Sequence, residues 1–271
     1  MKARLYIMIL IVVIIAASAI FVLNGGPKDQ ALATYDNKPV PASFLSKLNI
    51  SDSISNQVGI GSVTSFPTIL ANATPLKIDN KTVVFYYGAE FCPFCAAERW
   101  GMLIALMRFG TFSGVKFMTS SATDAVSPST PTFTFYNSSY YSPYITFMPV
   151  ETETNTGAPL ESPTSQEQAL FNFYDANNQQ LPSIERGSIP FIDIGNYSIQ
   201  IGANYQPKAV LYATNWSVIA QDLQSPSSVQ SQAIIGTANL LTAQICVADN
   251  NTPQNVCNQN YVKSIEKQLG A

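Results

Sequence analysis

Residues 88–100 read GAEFCPFCAAERW. Cys92 and Cys95 flank Pro93 and Phe94, in a chain of 271 residues with only four cysteines. A pair so spaced can serve redox chemistry, bind a metal or act as a structural staple, and each use demands different neighbours.

Upstream, KTVVFYYG (81–88) is a short apolar run rich in β-branched and aromatic residues, the pattern of a buried parallel strand. Residues 93–109 are long enough for a helix and apolar nearly all round, and Gly110 can cap its end. GVKFMTS (114–120) then reads as a second strand, which predicts a β-α-β unit with the cysteines at the strand-to-helix turn. Both strands of such a unit end at one edge of the sheet, so Ser120, Ser121 and Asp124 are expected near the cysteines.

That turn suits thiol chemistry. A helix N-terminus offers free N–H groups and the positive end of the dipole, both of which stabilise an anion. The thiolate is the nucleophile of disulfide exchange, and C-x-x-C at such a turn lowers its pKa. Cys92 is expected at the exposed helix start, with Cys95 one turn further in. Pro93 fits the first helical position, where it leaves no N–H unsatisfied. Glu90, Phe94, Glu98 and Arg99 are candidate modulators. A carboxylate beside a cysteine could accept its proton or raise its pKa by repulsion, and the sequence does not choose between these.

The other readings lack support. Zinc wants four ligands, usually paired C-x-x-C units or histidines, and this chain has no histidine. No metal and no other cofactor is expected. A staple across C-x-x-C closes a tiny loop and gains little chain entropy.

A second signal lies in RGSIPFIDIGNYSIQIG (186–202). Ile189 and Pro190 open one strand, and Gly195-Asn196 turns the chain into another. Proline at the first position of a strand withholds no ladder hydrogen bond and is often cis in a tight bend. C-x-x-C at a βα turn followed by X-Pro at a hairpin resembles the thioredoxin pattern, in which the proline positions the substrate strand against the cysteines.

The chain departs from a minimal thioredoxin in two places. A stretch of about 121–185 reads as an insertion, with strand-like runs in TPTFTFYNSSYYSPYITFMPVET and a helix over about 165–174 opened by a Thr164/Glu167 capping box. Its Tyr136, Tyr140, Tyr141 and Tyr144 could line a substrate groove or simply pack. The helix in TNWSVIAQDL would close the thioredoxin domain, and SSVQSQAIIGTANLLTAQIC adds another that ends at Cys246. Ten residues separate Cys246 from Cys257, which suits a structural disulfide. A second redox pair there would lack the helix-start setting.

Composition and the N-terminus bear on location. Net charge is −3 with no basic cluster, which argues against a nucleic-acid partner. Charged residues make up 11%, less than half the usual share; a surface so poor in ions suits a hot or acidic exterior, and plain compositional bias is the alternative. LYIMILIVVIIAASAIFVL, from Leu5 to Leu23, is nineteen apolar residues, close to the length that spans a bilayer. Lys2 and Arg4 on its short side place the remainder outside the cytoplasm. Ala17-Ser18-Ala19 resembles a signal-peptide cleavage site, but the apolar run continues past it, which favours an uncleaved anchor. Seven N-x-S/T sequons and an even cysteine count agree with export.

GAEFCPFCAAERW, RFGTFSG, SSATDAVSPSTPTF, PVETETN, GSIPFIDIGN and GTANLLTAQIC are together similar to a family of archaeal and actinobacterial thioredoxin-like proteins catalogued as domain of unknown function 929. The resemblance covers most of residues 40–260. It implies the fold, Cys92 and Cys95 in the redox positions, and Pro190 as the cis-proline. Members look like extracytoplasmic partners of quinone-linked disulfide-forming enzymes.

The sequence therefore reads as an α/β chain with four parts: a membrane anchor (1–26), a linker (27–40), a thioredoxin-like domain with its insertion (41–225), and a stapled C-terminal helical extension (226–271). The expected activity is thiol–disulfide exchange on exported protein thiols and disulfides, by Cys92 attack and Cys95 resolution. The alternative is a non-catalytic envelope protein that binds partner peptides with its cysteine pair permanently oxidised.

Overall fold

The structure, a computed structural model, describes residues 31–178 and 185–271. The anchor expected over 1–26 lies outside the described residues, as does the start of the linker.

The strands are β1 (Thr68–Ile69), β2 (Lys77–Ile78), β3 (Lys81–Gly88), β4 (Thr111–Ser113), β5 (Lys116–Thr119), β6 (Pro131–Thr134), β7 (Ser139–Tyr141), β8 (Ile145–Glu151), β9 (Phe191–Ile194) and β10 (Ser198–Ile201). The helices are α1 (Ala42–Leu45), α2 (Asp52–Val58), α3 (Pro93–Met107), α4 (Ser165–Phe171), α5 (Pro207–Leu211), α6 (Trp216–Asp222), α7 (Gly236–Ala248), α8 (Gln254–Cys257) and α9 (Asn260–Gln268).

A mixed sheet forms the centre. β3 pairs in parallel with β8 and antiparallel with β9, and β9 continues through β10 to β1. Nearly every residue of β3 is buried, because both faces of the sheet are covered. Val84, Tyr86, Ile192 and Ile194 face a core shared with α3 and α7. Phe85, Tyr87 and Phe191 face a smaller cluster closed by Phe171 of α4.

The expected β-α-β unit is corrected in its second strand. β5, within GVKFMTS, pairs antiparallel with β6 in a separate two-stranded sheet. The parallel partner of β3 is β8, which lies inside the stretch read as an insertion. Two causes are visible. Phe117 of β5 packs against Phe44, Phe133 and Trp216, so this strand already has an aromatic core of its own. β8 is long enough to match β3 from Thr82 to Gly88, and its Pro149 is tolerated at a sheet edge.

Other elements follow local chemistry. α1 and α2 are separate helices, because the Ser51 side chain accepts the Ile54 N–H and starts α2 anew. The capping box of Thr164 and Glu167 opens α4, and a π turn over Asn172–Ala176 extends it. The end of the linker is docked: the Asn37 N–H donates to the Phe117 carbonyl and the Val40 N–H to that of Val115.

The C-terminal helices are part of the main core. A side chain at Gly101 of α3 would collide with Thr237, so glycine there lets α3 and α7 approach closely. Ser231–Ala248 is the one described helical stretch apolar and long enough to cross a bilayer, yet 83% of it is buried inside the protein. Cys246 and Cys257 form a disulfide between α7 and α8.

Candidate active site

Cys92 is the N-cap of α3, with extended backbone, and Pro93 takes the first helical position. The Cys92 sulfur accepts the Cys95 N–H at 3.2 Å, and its thiol donates to the Ile189 carbonyl at 3.6 Å. The Ile189–Pro190 peptide is cis and opens β9. Two segments remote in sequence thus meet over one sulfur.

The two thiols differ. Cys92 is lowered from its usual value: the Cys95 thiol donates to it, with help from the N–H groups of Cys95 and Phe94 and the charge of Arg99, against the opposing effect of burial. Cys95 is raised well above its usual value, first by burial and then by the neighbouring Cys92 sulfur. The sequence reading expected an exposed Cys92, and here the structure corrects it. Cys92 is 5% exposed, against 0% for Cys95. The Ile189 turn covers the sulfur, and the Ser121 N–H fastens the next loop to the Phe91 carbonyl.

The candidate modulators separate into groups. Arg99 is fully buried and donates through Nε and Nη2 to Glu151, at 2.8 and 2.6 Å. Nη2 also donates to the Ala89 carbonyl at 2.6 Å, which accepts the Cys92 N–H as well. The loop that carries Cys92 therefore hangs on this ion pair. Glu98 points elsewhere: its carboxylate accepts the Asn204 N–H, and burial pushes it up to about 8. Glu90 is buried, its N–H bonded to the Glu153 carbonyl, with one carboxylate oxygen unpartnered among the described residues. Phe94 is half-buried. Asp124 accepts the N–H groups of Val126 and Ser127, so it shapes the 121–127 loop and forms no described bond to a cysteine.

No described hydrogen bond or ring contact joins the tyrosines of 136–144 to the cysteines. The Tyr140 hydroxyl donates to the Leu106 carbonyl, at the opposite end of α3, and its ring packs on Phe112 and Phe147. Glu151 and Tyr86 were missed by the sequence reading. A lone acid ending the apolar run ITFMPVE and a lone Arg99 in an apolar helix were the available signal.

Among the described residues, no cluster of three or more His, Cys, Asp or Glu is placed to hold a metal ion. No curated protein matches the chain, and no solved structure matches it. One family does match, over residues 68–247, a span that takes in the cysteine pair, Pro190 and Cys246. It covers more than half of the sequence, so the chain belongs to the family described as Domain of unknown function (DUF929).

Proposed function

We propose that this protein is a thiol–disulfide oxidoreductase on a thioredoxin-like scaffold, held outside the cytoplasm by its N-terminal apolar segment. The observation that carries the reading is the Cys92 sulfur at a helix N-cap, lowered in pKa, beside a Cys95 whose thiol is raised. The scaffold reading rests on the parallel β3–β8 pair, the cysteines at the β3–α3 turn and the β9–β10 hairpin that Pro190 opens.

In the oxidising direction, a substrate thiolate attacks the Cys92 sulfur of the Cys92–Cys95 disulfide. The bond between the protein sulfurs breaks, and its electron pair leaves on Cys95, which then takes a proton from solvent. A second substrate thiolate attacks the substrate sulfur of the mixed disulfide and releases Cys92 as thiolate. The reducing direction runs the same steps backwards. Exported protein thiols or disulfides are the substrates, and a quinone-linked membrane partner is the class of co-reactant that would take up the electrons.

The test is turnover of a model protein disulfide by the purified protein. Wild type should turn over, Cys92→Ser should be inert, and Cys95→Ser should stop at a mixed disulfide on Cys92. A wild-type protein that is folded and exchanges no disulfide would overturn the reading.

A further inference from the structure

The proposed cycle leaves a fully buried sulfur, Cys95, carrying negative charge whenever the disulfide opens. Neither nearby glutamate forms a described bond to it, and the Glu98 carboxylate accepts the Asn204 N–H instead. Two other groups lie behind the pair. Tyr86 of β3 is fully buried, and its hydroxyl has no hydrogen-bond partner among the described residues. A side chain at Gly88 would collide with that hydroxyl, which places it against the strand end from which the chain turns towards Cys92. The Arg99 guanidinium lies over the Tyr86 ring, 5.8 Å from its centre. Its Nε and Nη2 are engaged by Glu151 and Ala89, while Nη1 is buried with no partner. Cys95 stands one helical turn before Arg99, on the same face of α3.

A buried donor with nothing to donate to is costly, and both of these groups interact electrostatically with Cys95. We propose that the Tyr86 hydroxyl and Arg99 Nη1 form a donor pair that stabilises the Cys95 thiolate released when the Cys92–Cys95 bond breaks. This rests on the redox reading above. The electrostatics agree: the Arg99 charge pulls Cys95 down against burial, and a charged Cys95 pushes the Tyr86 phenol up. Tyr86 is raised well above its usual value by burial, so it keeps its proton and acts as a donor of a hydrogen bond. The ionisable groups facing Cys95 are Cys92 and Arg99 from α3 and Tyr86 from β3, with Glu151 of β8 behind Arg99.

The experiment is single turnover of the reduced full-length protein with dithiodipyridine, a small neutral disulfide. Cys92 thiolate attacks one reagent sulfur, releasing one pyridinethione and forming a mixed disulfide. Cys95 thiolate then attacks Cys92, releasing the second pyridinethione and closing the protein disulfide, its proton having passed to solvent. Tyr86→Phe removes only the unpartnered hydroxyl. Its first phase should match wild type, while its second should slow about tenfold and shift its pH profile upward by about one unit, the size of one hydrogen bond to an ion. Arg99→Lys, which keeps a charge but not Nη1, should slow the second phase too. Second phases unchanged in rate and pH profile in the variants that fold would overturn the proposal. Wild type releasing no pyridinethione would instead overturn the redox reading itself.

Discussion

The Cys92 thiol donates to the carbonyl of Ile189, 97 residues away in sequence, at 3.6 Å. This contact closes the site: it buries the sulfur that α3 activates and presents it at the edge of the β9 turn. Both thiols of the pair are buried, and they differ chiefly in acidity.

That inequality predicts an order of reaction. In the reduced protein at mildly acidic pH, iodoacetamide should modify Cys92 first, since thiolate fraction and access together set the rate. Peptide mapping after partial alkylation checks it. Label appearing on Cys95 before Cys92 would contradict the assignment of nucleophile and resolving residue.

The ion pair between Arg99 and Glu151 predicts a stability pattern. Glu151→Ala leaves a buried, uncompensated guanidinium, and should cost about 3–5 kcal/mol in urea denaturation. Replacing both residues with methionine should recover much of that loss, because the buried charge is removed with its partner. A double variant that loses as much as the two single variants together would show that the pair is not coupled.

The disulfide between Cys246 and Cys257 should act on stability alone. Cys246→Ser or Cys257→Ser should lower stability by about 2–4 kcal/mol, with exchange activity per folded molecule unchanged. Loss of turnover in a fully folded variant would mean that this pair relays electrons.

Several buried acids predict the pH dependence of stability. Burial raises Glu98 to about 8, Asp193 to about 7, and Asp36 and Asp175 to about 6, from ordinary values of 4.5 for Glu and 3.8 for Asp. Each group binds its proton more tightly folded than unfolded. Its contribution is therefore fully present below the unfolded value and is lost as pH rises through the folded one. The urea midpoint should be higher near about pH 5 than near about pH 8, and Glu98→Gln should flatten the upper part of that fall. A wild-type midpoint that rises over the same interval would contradict this.

The parts of the site written in local chemistry were legible. The strand, the turn with its cysteines and the proline at N1 of α3 follow from residues 81–107 alone, as does the capping box at Thr164. The Cys246–Cys257 disulfide followed from spacing and a helix end. What escaped the reading depends on register between distant segments. The parallel partner of β3 could not be chosen between β5 and β8 by apolar pattern, since both are apolar and β-branched or aromatic. Without β8 opposite β3, Glu151 had no visible reason to meet Arg99, 52 residues earlier. Cys92 was expected to be exposed because a helix start usually is, and the cover comes from Ile189 in the distant turn before β9.

The most direct test is the reduction potential of the Cys92/Cys95 pair, measured by equilibrating the protein with glutathione redox buffers and counting the thiols of each. The account predicts reversible exchange at a potential above about −300 mV, in the range of disulfides that take part in turnover. A pair that stays oxidised against strongly reducing buffer, or a folded protein that exchanges with glutathione at no ratio, would contradict it.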